Sequence, residues 1–331
     1  MNFSKNALYS IILLVASIMV ALLLSEAILR VKNSSMTNYD IEMWRYAREL
    51  KVKSPDPSLD FEHLKNKSAV LQNVEIRLNE WGLRGDPVPA ANPDKRRIVF
   101  VGASTTLGWG VREEDTVEKQ LERMLDAAGQ PVEVLNAGVG NYNAERYVSR
   151  FLKQLTGLNP TDIVVQYFMR DAEDLPPGGG NFLLRHSQLA VTLWIAYHRL
   201  FDDTGEVNLV ERYRKIYQPD QPGFIVMQRE LKKLADYARG RGIRLYFMMT
   251  PDVHDLINYK FGFVHDIMRK VAEQDGYVYI DLLPVMTGLR PEQTWAMPGD
   301  PHPGTYPHKL MANAIFPVLA KPDNARLPVE K

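Results

Sequence analysis

The sequence runs to 331 residues, 45% hydrophobic and 24% charged, which is enough for a sizeable core and one or two domains. Lys plus Arg (40) balances Asp plus Glu (40), so no net field draws the chain to nucleic acid. There is no cysteine, which excludes disulfides, thiol catalysis and thiolate metal sites.

A short tail at 1–5 precedes residues 6–25, twenty positions without a charge and about the length a helix needs to cross a bilayer. The run is long for a cleaved signal peptide and no small-x-small site closes it, so the expectation is a transmembrane anchor. Lys5 and the amino terminus stand against Arg30 and Lys32, a count that by itself points to a cytoplasmic carboxyl side. Residues 26–93 are polar and mixed, with Pro55, Pro57, Pro87, Pro89 and Pro93 as breakers, and read as a juxtamembrane connector. Within it, residues 41–50 have a helical pattern, and Val74-Glu75-Ile76-Arg77-Leu78 alternates as a half-buried strand does before the turn at 79–85. Lys95-Arg96-Arg97 reads as a solvated basic loop rather than a nucleic-acid patch.

From 94 to 320 strands and helices alternate, and 321–331 is a tail. Ile98 to Val101 is an apolar run without alternation, as in a parallel strand buried on both faces. It leads into Gly102-Ala103-Ser104-Thr105-Thr106, which places Ser104 at the carboxyl end of a strand, where open α/β sheets bind ligands. The bland reading of Ser104 is a helix cap. Asp115 with Glu118 resembles a capping box, opening a helix that Gly129 ends. A strand at 132–135, the glycine-bearing loop at 136–143, a helix carrying Tyr147, Phe151, Leu152 and Leu155, and a strand at 163–168 follow. After the loop Pro176-Pro177-Gly178-Gly179-Gly180, residues 189–200 form an apolar helix, too short to span a membrane and suited to lining a pocket. Helices at 226–238 and 263–272, strands at 243–249 and 277–280, and a last helix capped by Thr305 and ended by Pro317 complete the pattern. The alternation predicts a doubly wound, flavodoxin-like parallel sheet of about five strands with helices on both faces.

Three strand-end loops and Gly299-Asp300-Pro301-His302-Pro303-Gly304 carry the polar residues that chemistry can use. A serine needs a base within reach, and its tetrahedral intermediate needs donors for the oxyanion. The α/β-hydrolase elbow fits poorly, because Thr106 stands where Gly-x-Ser-x-Gly has its second glycine. His302 and His308 lack the spacing of a helical metal pair and no carboxylate cluster surrounds them, so neither metal nor cofactor is assigned. His186, His198, His254 and His265 read as pocket or surface histidines.

Taken together these blocks resemble the SGNH (GDSL-like) hydrolase family, membrane-anchored bacterial type, over about residues 78–319. Gly102-Ala103-Ser104-Thr105-Thr106 is similar to the first block, with alanine for aspartate, and Asn136-Ala137-Gly138-Val139-Gly140-Asn141 to the second. Phe168-Met169-Arg170-Asp171 corresponds to the third, with Arg170 for the asparagine that completes the oxyanion hole. Asp300-Pro301-His302-Pro303 approximates the fifth, its acid one residue closer to the histidine than usual. The resemblance implies Ser104 as nucleophile, His302 as base and Asp300 as its orienter, with the oxyanion held by Ser104, Gly140 or Asn141, and Arg170. It also implies a cytoplasmic amino terminus and a domain on the periplasmic, extracytoplasmic side of the inner membrane, against the charge count. The expected function is a single-pass anchored serine esterase acting on an ester, such as O-acetyl groups of a cell-envelope or exported polysaccharide. A polysaccharide O-acyltransferase with the same triad and a non-catalytic member that binds glycan or partner proteins stay open.

Overall fold

The computed structural model describes residues 5–92, 95–178, 181–201 and 206–321. Most of the two expected tails, with Pro93, Gly179 and Gly180, lies outside them. In chain order the elements are α1 (Lys5–Asn33), α2 (Tyr39–Leu50), β1 (Lys51–Lys53), β2 (Phe61–His63), β3 (Lys67–Leu71), β4 (Val74–Leu78), β5 (Arg96–Gly102), the single turn α3 (Ser104–Leu107), α4 (Val117–Ala127), β6 (Val132–Asn136), α5 (Ala144–Arg150) and β7 (Asp162–Phe168). They continue with α6 (Phe182–His186), α7 (Gln188–Phe201), α8 (Glu206–Ile216), α9 (Pro222–Arg239), β8 (Arg244–Thr250), α10 (Gly262–Gln274), β9 (Val278–Asp281), α11 (Leu283–Met286), α12 (Pro291–Thr294), β10 (Trp295–Met297), β11 (Asp300–Pro303) and α13 (Thr305–Leu319).

Five strands make the central sheet in the order β6-β5-β7-β8-β9, every neighbouring pair parallel. This is the doubly wound, flavodoxin-like arrangement that the alternation predicts. Its two faces account for the unalternating apolar runs. On β5, Val99 and Val101 pack with α5, α9 and α10, while Ile98 and Phe100 pack with α4 and α13. All four are at most 1% exposed, so a strand with period-2 geometry needs apolar residues at every position.

Four details differ from expectation. Arg96 and Arg97, read as solvated loop, open β5, with Arg97 4% exposed and paired with Glu133 at 2.6 Å, and Arg96 paired with Asp162 at 2.8 Å. The cap of α4 is Thr116, whose hydroxyl accepts the Lys119 N–H at 3.4 Å, because residues 113–115 already form a 3-10 turn. Pro317 does not end α13, which runs on to Leu319; so near the end its missing N–H forfeits a single backbone bond. That helix starts from Gly304, with Thr305 its first residue.

The largest difference is in the segment read as a connector. It folds as a layer of α2 and the antiparallel hairpin β3-β4, with a small core of Tyr46, Leu50, Leu71, Ile76 and Leu78 closed against Leu107 and Trp109 of the following domain. Arg84 ties this layer to the main sheet through its N–H to Asn136 O at 3.0 Å. Its buried guanidinium donates to Leu107 O and Gly108 O, both at 2.7 Å, and so caps the carbonyl end of α3. α1, of 29 residues, is the one helix among the described residues long and apolar enough to cross a membrane.

Candidate active site

The site forms at the carboxyl ends of β5, β6 and β7, where β11 meets α3. Ser104 is the first residue of α3 and does not cap it; that position belongs to Ala103. Its hydroxyl lies 2.8 Å from His302 Nε2, and His302 Nδ1 lies 2.6 Å from Asp300 Oδ1. Since the carboxylate can only accept, Nδ1 carries the proton and Nε2 faces the serine as acceptor. The short Asp300-to-His302 spacing is accommodated because the two residues lie on a strand, where positions two apart share a face. Asp300 Oδ1 also accepts the backbone N–H of His302 at 3.1 Å.

Asp300 is completely buried and has four donors. Oδ1 takes the two from His302, and Oδ2 takes Gln72 Nε2 at 2.5 Å and Trp109 Nε1 at 3.0 Å. Burial pushes its pKa up, but the bonds and charge of His302 and the Gln72 bond outweigh that, and the carboxyl is held below the ordinary carboxylate value.

Block two reaches the serine helix because it has no side chain in the way. A Cβ on Gly138 would lie 2.2 Å from Leu107 N, which no conformational shift of a flexible side chain could relieve. The loop closes on Asn141, whose φ of 62° is left-handed and whose residue is exposed.

Of the four expected oxyanion residues, Gly140 has its N–H donating to Tyr46 Oη at 2.9 Å. Tyr46 in turn donates to His63 Nε2 at 2.6 Å, and His63 Nδ1 donates to Gly82 O at 2.9 Å. His63 is buried among Arg150 and Lys51, its pKa pushed far down by desolvation, so this relay is neutral and fixed in one direction. Arg170 is half-exposed and its Nε lies 3.5 Å from Glu173 Oε2, not against Asp171 or Asp174. Arg212 shares the same Glu173 oxygen at 3.2 Å. Asp171 is buried, accepts the Phe168 N–H at 3.1 Å, and is pushed up by desolvation to about 8. His308 is engaged elsewhere: its Nδ1 accepts the Val117 N–H at the start of α4. Among the described residues no cluster of three metal-ligating side chains occurs.

Sequence reasoning missed four residues that touch Asp300, His302 or the 136–143 loop, three of them from the supposed connector. Gln72 bonds Asp300, Tyr46 bonds Gly140, and the ring of Tyr39 lies 5.7 Å from that of His302, tilted by 35°. The fourth, Trp109, sits on the first block itself.

No family model matches the chain, and no curated protein does. Solved structures similar to it include TesA (16% identity, TM-score 0.45, covering 69% of this chain and 99% of that one). Another is a variant of Axe2, an acetyl-xylooligosaccharide esterase from Geobacillus Stearmophilus (13%, TM-score 0.44, 72% and 100%). A third is a GDSL-like lipase from Bacteroides thetaiotaomicron (14%, TM-score 0.40, 70% and 92%). A likeness at these identities and TM-scores is one of chain trace and carries nothing about chemistry.

Proposed function

We propose that the chain is an anchored serine esterase of the SGNH type. The observation that carries this reading is the unbroken series Asp300 Oδ1, His302 Nδ1, His302 Nε2, Ser104 Oγ, at 2.6 and 2.8 Å, with the acid buried and fully donated to. In that geometry Ser104 Oγ attacks the ester carbonyl carbon as His302 Nε2 takes its proton. Asp300 holds the ring in the Nδ1–H tautomer and stabilises the imidazolium. The oxyanion is received by the N–H of Ser104, one of the unpaired donors of a helix start, and by the N–H of Asn141. His302 then protonates the departing alcohol, and a water deprotonated by the same nitrogen releases the acid and restores the serine.

The substrate class proposed is an ester on an acylated glycan, with the anchor α1 fixing the domain on the outer side of the inner membrane. A second reading, O-acyl transfer to polysaccharide through the same triad, is favoured by one observation. His302 is only 15% exposed, with the Tyr39 ring 5.7 Å from its own, a setting that gives water little access to the histidine. Acyl transfer from a donor ester to sugar without net hydrolysis identifies that reading.

The test is a fluorophosphonate probe on the full chain with Ser104→Ala, His302→Ala and the double variant. Labelling at Ser104 is expected. Each single substitution removes most ester turnover, with the double losing little more because the residues act as a unit. No labelling indicates a binding protein instead, and multiplying losses refute a shared triad.

A further inference from the structure

The helix α7 was expected to line a pocket, yet its apolar side faces outward. Leu193, Trp194, Tyr197, Leu200 and Phe201 are 61%, 50%, 60%, 79% and 71% exposed, and their spacing of three, four and seven puts them along one stripe. Val191, one turn before Trp194, is buried. An outward stripe of this size, with two interface-favouring aromatics, is not a feature that water tolerates without use.

What covers it follows from where the helix is fastened. The uncharged run of α1 ends at Ser25, and the next residue, Glu26, accepts from Ser187 Oγ at 2.9 Å, Gln188 N at 3.1 Å and Leu189 N at 2.9 Å. Arg30 Nη2 donates to His186 O at 3.1 Å, and Asn33 Nδ2 to Gln188 Oε1 at 2.9 Å. Twenty helical residues span about 30 Å, the thickness of a hydrocarbon core, so a chain anchored by 6–25 leaves the bilayer at Glu26. The first turn of α7 is therefore pinned at the membrane–water boundary. The sequence over 181–201 contains no acidic residue and includes Arg185 and Arg199, the composition of a helix that rests among lipid headgroups.

We propose that α7 is a second membrane element: an interfacial helix that lays its apolar stripe into the bilayer surface beside α1 and holds the domain down on the lipid. This rests on the anchor reading of α1, and the occupant it names is lipid, not a protein partner.

The chain has no cysteine, so Leu193→Cys, Phe201→Cys and, in the anchor, Ile18→Cys each create one labelling site for an environment-sensitive fluorophore. Each full-length variant is reconstituted into phosphatidylcholine–phosphatidylglycerol vesicles and quenched in turn by nitroxide-bearing lipid and by aqueous iodide. All three labels are expected to be quenched at least twofold more by the lipid nitroxide. If the label at 18 behaves so while those at 193 and 201 respond to iodide, α7 faces water and the proposal is overturned with the anchor intact. Labels at 193 and 201 shielded from both quenchers mean a protein cover, which also overturns it. A label at 18 that the lipid nitroxide does not reach removes the anchor, and the proposal with it.

Discussion

Gln72 and Asp300 are separated by 228 positions in the chain and joined by a 2.5 Å hydrogen bond at the centre of the candidate site. The amide comes from the two-residue turn between β3 and β4, where Gln72 and Asn73 have φ of 50° and 60°. Its backbone is fixed in turn by the Gln72 N–H donating to Glu42 Oε2 at 2.7 Å. Layer and candidate site are thus joined, and Asp300 is held from a part of the chain outside the α/β domain.

Gln72→Asn tests this without disturbing the turn, because asparagine accepts the left-handed conformation but is one methylene too short to reach Asp300. A hydrogen bond to a charged group is worth about 1.5–3 kcal/mol, so kcat is expected to fall by about tenfold or more. KM is expected to stay within about twofold, since Gln72 acts on the acid and not on substrate. An unchanged kcat, or a loss confined to KM, refutes the positioning role.

Asn141 supplies a second test. If its contribution is a backbone N–H presented at φ 62°, then Asn141→Gly keeps both donor and conformation and retains activity within about threefold. Asn141→Val puts a β-branched residue in a region that strongly disfavours it and is expected to lose at least about tenfold in kcat. Equal losses in the two variants assign the role to the Asn141 side chain instead.

The pH dependence of stability has an identifiable source. Desolvation raises Asp171 to about 8 and Glu118 to about 7 in the folded chain, whereas unfolded carboxyls titrate near 4. Folding therefore retains protons that the unfolded chain releases, and the stability these groups allow is full below about pH 4 and lost as pH rises toward 7–8. Asp171→Asn removes one of the two contributions, at most about 1.4 kcal/mol per pH unit. Apparent unfolding midpoints at pH 5 and pH 8 are expected to lie closer together in this variant than in the parent chain. An unchanged difference shows that Asp171 does not carry the linkage.

How much of this could be read beforehand follows from the range of the interactions. The sheet was legible because residues 98–101 are apolar at every position, which only a strand covered on both faces requires. Ser104 and His302 could be singled out because their neighbours Gly102, Gly138 and Pro303 resemble an SGNH-type pattern, and the structure brings their side chains within 2.8 Å. The layer formed by α2 and β3-β4 was not, although its helix and its Val74–Leu78 strand were each recognised. Local periodicity says that an element exists and which face is apolar, not what that face meets. The bond from Gly140 N–H to Tyr46 spans 94 positions and that from Gln72 to Asp300 228, and neither leaves a local mark. The same limit held for α7: residues 189–200 read as an apolar helix, but an apolar helix read locally does not say whether its side chains face a pocket or the outside.

Arg170 remains, the residue that departs most from the SGNH pattern the sequence resembles. An oxyanion donor must be held in place, and a guanidinium on a long stem needs partners to hold it. The partner in the structure is Glu173, at 3.5 Å, and the side chain is 54% exposed, so the pair contributes little stability. Glu173 does not lose its counter-charge when Arg170 is removed, because Arg212 lies 3.2 Å from the same oxygen. Arg170→Ala is therefore expected to leave kcat on a small neutral ester within about threefold, well short of the roughly 10²-fold loss that follows removal of a true oxyanion donor. Arg170→Asn restores a short neutral amide at the end of β7 and is expected to raise the rate on the same ester. The two outcomes are read together on one substrate. A hundredfold loss in the alanine variant, not recovered by asparagine, means that the guanidinium swings from Glu173 into the site during turnover, and the two-amide oxyanion hole of Ser104 and Asn141 is then incomplete.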